Sequence, residues 1–154
     1  MMSKTTLAAI VGAGLMVANA GTALAEDSTL VRVSSPHSVS ETIDKLSAAV
    51  ENAGAKVFAR IDHAKGGKSV DMEIPDNEVL IFGNPKLGTP IIRDAQAAGL
   101  DLPIRVSAIE TPDGTIILYR SPVAFAGAHG LPEDHPSVVA MTGALKKLTS
   151  KAAE

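Results

Sequence analysis

The sequence predicts a single α+β domain, β-α-β(4)-α, with a largely antiparallel sheet and helices on one face. Three observations carry this. A strand pattern and one strong helix pattern open the chain, after which strands follow one another. Two of those strands are joined by Thr111-Pro112-Asp113-Gly114, a turn sequence. No repeat or low-complexity linker divides the 154 residues, and with 45% hydrophobic and 3% aromatic positions they can bury one core built from Val, Ile, Leu and Ala.

Residues 1–25 stand outside that domain. Lys4, an apolar stretch from Leu7 to Ala20 and the small-x-small Ala23-Leu24-Ala25 read as a secretory signal peptide cut after Ala25, leaving 26–154 as the domain. The apolar stretch is shorter than the ~20 residues that span a bilayer, so no stable membrane insertion is expected after cleavage. Removing Lys4 leaves 14 − 1 = 13 basic against 17 acidic side chains, a net charge of −4. That balance argues against nucleic acid as a partner, since such binding rests on basic patches. With no cysteine there is neither disulfide nor thiol nucleophile nor lipid-attachment site, which fits a free periplasmic or secreted protein.

Leu30 to Ser34 reads as the first strand. Ser38 as N-cap with Glu41 three residues on makes a capping box, and Val39, Ile43, Leu46, Val50 and Ala53 form the apolar stripe of a helix that Gly54 closes. Lys56 to Asp62 alternates as a half-buried strand, with Val57, Ala59 and Ile61 on one side and Phe58 and Arg60 on the other. His63 to Ser69 reads as a polar connection. The apolar run Val79 to Phe82 is the central strand, broken by Gly83-Asn84-Pro85. Thr89 as N-cap and Pro90 at the first position then predict a helix to Gly99. Ile104 to Glu110 and Thr115 to Ser121 form a hairpin, read as a type I turn with a glycine bulge that sets Thr111 opposite Thr115. A proline-rich loop from His129 to Pro136 precedes a last helix with Val138, Met141, Leu145 and Leu148 inward, capped by the acidic residues around Asp134.

The strand–loop–helix from Glu78 to Leu102 is the natural place for a site, because backbone donors at a helix start converge there. Gly83 to Gly88-Thr89 has the outline of a phosphate loop but lacks its lysine, and two prolines remove donors. What remains is a cradle for a small anion made by Gly83, Asn84, Gly88 and Thr89, or else a rigid turn. The bulged hairpin register puts Arg105, Ser107 and Tyr119 on one face. Arg105, Tyr119 and His63 would then supply the polar part of a shallow pocket at that loop. In the competing arrangement Arg105 pairs with Asp101 or Glu110 and staples the sheet. His37, His63, His129 and His135 show no metal-ligand spacing, although His129, Glu133, Asp134 and His135 lie close in sequence. No cofactor motif and no nucleophile elbow is present.

Ile61-Asp62-His63, Phe82-Gly83-Asn84-Pro85 with Gly88-Thr89, Leu100-Asp101-Leu102-Pro103 with Arg105, and Tyr119 ahead of Pro122 together resemble the bacterial and archaeal family called domain of unknown function 302. The likeness runs from the Ser38 helix to the Leu131 loop. It implies a TATA-binding-protein-like β-α-β(4)-α fold without DNA binding, and dimers. The chain departs from the family pattern at Ala128, where arginine is frequent, and at Gln96-Ala97-Ala98, where a proline is common.

A periplasmic binding or accessory module, homo-oligomeric and recognising a small, anionic ligand or a protein, is the function these features favour. The alternatives are a small hydrolase or isomerase using His63 with Arg105 as an anion clamp, and a structural interaction domain.

Overall fold

The computed structural model describes residues 29–154; the signal peptide expected over residues 1–25 lies outside them. β1 (Leu30–Ser35), β2 (Lys56–Asp62), β3 (Asn77–Gly83), β4 (Ile104–Thr111) and β5 (Gly114–Arg120) form one antiparallel sheet in the order β1-β5-β4-β3-β2. The β-α-β(4)-α order therefore holds, elaborated by short helices. α1 (Val39–Asn52) and α5 (Pro136–Ala152) lie together over one face, and Leu80, Val106 and Ile117 of the sheet meet Ile43, Leu46 and Leu145 in a core of aliphatic side chains.

α1 starts and stops where its sequence says. The Ser38 hydroxyl accepts the Glu41 N–H at 3.2 Å. Glu41 does not reciprocate: its carboxylate lies 3.2 Å from Nδ1 of His37. At the other end Gly54, at φ +73°, lets Ala55 N–H reach Val50 C=O and its own N–H reach Glu51 C=O, the paired bonds of a Schellman stop.

Several local expectations are corrected. The segment His63–Lys68 is a short helix, α2, whose first turn Asp62 caps by accepting from Lys65 N–H at 2.8 Å. α3 begins at Pro85 rather than after Thr89, runs to Asp94, and hands over to a 3-10 turn at Gln96–Leu100. Asn84 is its cap, and an Asn-Pro pair supplies both cap and first position as well as Thr-Pro does. Pro122–Ala128 forms α4, and α5 is capped by Nδ1 of His135, which accepts from Ser137 N–H, not by Asp134.

The hairpin register is the largest correction. Glu110 opposes Thr115 and Thr111 opposes Gly114, so Val106 faces Tyr119 and Arg105 projects from the other side of the sheet. β5 is apolar on both faces, with Ile117 and Tyr119 on one and Ile116 and Leu118 on the other, so hydrophobic alternation cannot choose between registers one residue apart.

A charged tie joins helix to sheet. Arg60 on β2 donates through Nε to Glu78 of β3 and through Nη1 to Asp44 of α1, and Nη2 reaches Ser40. Glu78 is only 8% exposed, and these contacts hold the guanidinium above its ordinary pKa, Glu78 contributing most. We expect Arg60→Ala to lower stability by about 1–2 kcal/mol, less than for a wholly buried pair because the guanidinium is partly solvated. Chemical denaturation checks this, and Asp44→Ala should cost less than Glu78→Ala.

An apolar cavity at the strand–helix loop

β3 runs out at Gly83, and the chain turns into α3 through Asn84, whose side-chain oxygen accepts Lys86 N–H at 3.0 Å. Gly88 N–H is spent inside the helix on Asn84 C=O at 3.0 Å, and Pro85 and Pro90 have no N–H to offer. The anion cradle expected from Gly83, Asn84, Gly88 and Thr89 is therefore not built: shifting the helix start by one turn turns the Gly88 donor inward.

Those four residues instead border a cavity of about 310 Å³. Its walls are the end of α1 at Ala53, the loop and first turns of α3 through Leu87 and Ile92, Leu102-Pro103, and Met141, Ala144 and Leu148 of α5. Asn84 and Thr89 are its polar side chains, and no charged side chain lines it. With its carbonyl oxygen engaged, the Asn84 carboxamide has N–H groups left to donate.

Phe58 closes one side of this cavity because β2 is bulged. Val57 pairs with Phe82 and Ala59 with Ile81, which leaves Phe58 unpaired between them and sends Ala59 and Ile61 to the face opposite Val57. The expected alternation through Val57, Ala59 and Ile61 is thus broken at its first step. Phe58 remains 51% exposed, its ring under Lys56 Nζ at 5.4 Å and against the backbone of Gly83, where a Cβ would stand 3.6 Å from Cε2. A bulge without glycine leaves no mark in the sequence, which is why reading alone missed Phe58.

The other expected site residues lie elsewhere. His63 is exposed at the first position of α2, beyond Asp62, which opposes Glu78; Gly83 opposes Lys56 at the far end of the same ladder, roughly 20 Å away at strand rise. Arg105 sits on the opposite face of the sheet and its Nη2 lies 3.4 Å from Asp101, the sheet-stapling arrangement. Tyr119 is 6% exposed on the helix-covered face with its hydroxyl bonded to the Thr149 side chain; burial, the larger effect, pushes its phenol up and that bond opposes it. Arg105 and Tyr119 both border a second hollow of about 460 Å³, Tyr119 from the helix side, and neither lines the first cavity. The His63–Arg105 pairing needed for a hydrolase or isomerase is not assembled: two strand spacings and several residues separate them, roughly 15 Å.

Two histidine–aspartate contacts fasten the loop before α5 to the end of α3 and to the segment that follows it. His135 Nε2 lies 3.2 Å from Asp94, whose carboxylate also takes two bonds from Arg93. His129 Nε2 lies 2.7 Å from Asp101, with its ring tilted against Phe125 at 5.0 Å. Among the described residues no group of three or more His, Asp or Glu side chains is placed to hold a metal ion, so His129, Glu133, Asp134 and His135 do not converge on one.

An open, five-stranded antiparallel sheet with helices packed on one side defines a small single-domain α+β protein. The chain belongs to the family Domain of unknown function DUF302, whose model matches residues 31–152. The crystal structure of an uncharacterized conserved DUF302 protein from Bacillus stearothermophilus shares the fold at TM-score 0.73 and 15% identity, over 80% of this chain and 98% of that one. Among curated proteins, "Fluoride-specific ion channel FluC 1" of Brucella suis is 43% identical over 106 residues, 68% of this chain and 42% of its own length. "Fluoride-specific ion channel FluC 2" of Brucella melitensis is also 43% identical, over 39% of its length. This chain therefore spans about two fifths of the curated relatives it matches.

The Arg93 and His135 contacts pull the Asp94 carboxyl down to about 2 from 3.8, the Arg93 bonds contributing most. A carboxyl depressed on folding adds stability that is whole above its unfolded value and is lost as pH falls through the folded one. Wild type and Asp94→Asn should therefore differ by a constant amount from neutral pH to about 4 and converge as pH approaches 2. Acid-unfolding curves of the two proteins check the window.

Proposed function

We propose that the chain is an exported small-ligand-binding module whose site is the cavity beside Gly83 to Thr89. One observation carries this reading: a volume of about 310 Å³ stands at the junction of β3, α3 and α5 and is walled almost wholly by aliphatic and aromatic carbon. That volume is at the small end of the ~300–1,000 Å³ of ligand sites, which join an apolar wall to a few polar groups. The ligand class that fits is a compact apolar body carrying one hydrogen-bonding group for Asn84 or Thr89. An anionic head gains nothing there, because no cationic side chain lines the space.

A second reading rests on the Brucella relatives. Their names are those of fluoride-specific ion channels, and the matched segment is a minority of each chain. As an accessory module, the domain would serve beside such a channel rather than transport anything itself.

Titration of residues 26–154 with the neutral dye N-phenyl-1-naphthylamine tests the cavity. Saturable fluorescence enhancement, displaced by an alkanol better than by the carboxylate of equal length, is the expected result. Ala144→Trp, which fills the space from α5, should abolish it while leaving the circular dichroism spectrum unchanged. Dye binding that survives Ala144→Trp would overturn the site. Export is checked by the intact mass of the protein recovered outside the cytoplasm, expected to begin at Glu26.

A further inference from the structure

One step beyond the pairing of Val106 with Tyr119, the register of β4 and β5 sets Arg105 opposite Arg120, on the face of the sheet turned away from α1 and α5. Residues opposed in this way hold their Cβ atoms roughly 5 Å apart, and like charges there repel. The pair costs the fold stability unless negative charge comes between the two guanidiniums.

The chain supplies that charge only in part. Asp101 lies 3.4 Å from Nη2 of Arg105 but closer to His129, at 2.7 Å from Nε2. Arg120 directs Nη1 to the Thr29 hydroxyl at 2.8 Å, a neutral acceptor. Nε and Nη1 of Arg105, and Nε and Nη2 of Arg120, have no partner among the described residues.

Both arginines border the second hollow, of about 460 Å³. Its floor is carbon from Leu30, Val79 and Leu118, each half-buried. Two arginines against one aspartate leave the lining with a net positive charge. Ser107 also lines it but donates its hydroxyl proton to Glu78 C=O at 3.0 Å. The backbone N–H groups of β4 and β5 are committed to the ladders, in the plane of the sheet. Tyr119 keeps its hydroxyl on Thr149. The donors left for a ligand here are guanidinium N–H groups above an apolar floor.

We propose that this hollow is a second ligand site, taking a small amphipathic monocarboxylate whose head is gripped between Arg105 and Arg120 and whose aliphatic body lies on Leu118 and Val79. The planar fork of a guanidinium meets a carboxylate in two parallel bonds. One net positive charge in the lining selects a monoanion. A phosphate monoester brings a second charge and further oxygens, for which no hydroxyl or backbone N–H is left. A neutral alcohol, the ligand type suited to the first cavity, offers nothing to neutralise the arginine pair. Among the described residues the two linings share only Ile104, so either site stands or fails without the other.

Calorimetric titration of the purified protein with sodium octanoate, below its micellar concentration, tests the site. Saturable binding is expected, weakened about tenfold or more in Arg105→Gln and in Arg120→Gln. Lys147→Gln removes the same charge from an exposed position on α5 and should leave binding unchanged. So should Ala144→Trp, which fills the first cavity, and 1-octanol should not displace the acid. Octanoate should also raise the melting temperature of the wild type and not that of Arg120→Gln, whose circular dichroism spectrum should match the wild type. Octanoate binding that is absent, that survives both arginine substitutions, or that is lost in Ala144→Trp overturns the proposal. Tighter binding of inorganic phosphate, dependent on Arg120, overturns the ligand class. Sedimentation with phosphatidylglycerol vesicles that is lost in Arg120→Gln does the same, giving the arginine pair to a lipid surface.

Discussion

The pairing of β5 against β4 is the constraint on which the rest depends. A strand alternates its side chains with period two, so a one-residue slip exchanges its faces entirely. With Val106 opposite Tyr119, the tyrosine joins the core under α5 and the arginines of both strands are left outside. The alternative register would bury Ile116 and Leu118 and bring Tyr119 out beside Ser107. Closure of the hairpin around Pro112-Asp113, with Gly114 at φ +119°, thus decides which residues can meet at any site. It also separates Arg105 from Tyr119 while leaving both strands equally apolar.

Two small irregularities make the cavity. The unpaired Phe58 in β2 turns an aromatic ring toward the end of β3, where Gly83 offers no side chain to obstruct it. The Asn84 cap starts α3 early enough that Leu87, Gly88 and Thr89 form a wall rather than a loop. On α5, the small side chain of Ala144 keeps the opposite wall back. His135 against Asp94 and His129 against Asp101 then hold the two walls at a set distance, so the space is bounded by rigid elements.

The two faces of the sheet carry different chemistry. The covered side is aliphatic, with the Arg60–Glu78–Asp44 tie at its margin, and the open side combines aliphatic rows with Arg105 and Arg120 at one end. A chain whose net charge is −3 thereby gathers cations on one surface, and that asymmetry lends the face an orientation that hydrophobicity alone would not.

The sequence by itself determined the order of the strands and of the two long helices, the α+β class, the family and the placement of α1 between Ser38 and Gly54, because these depend on local pattern: periodicity, caps and punctuation. It also marked Gly83, Asn84, Gly88 and Thr89 as a special stretch, since glycine, asparagine and proline there break a strong strand. Tertiary structure alone decided that this stretch borders carbon rather than an anion, that Phe58 and Ala144 share its cavity, and that His63, Arg105 and Tyr119 go elsewhere. Those outcomes rest on strand register, a glycine-free bulge and a one-turn choice between two Pro-containing helix starts. Each is decided by which side chains find partners across the fold, a long-range competition that neighbouring residues do not encode.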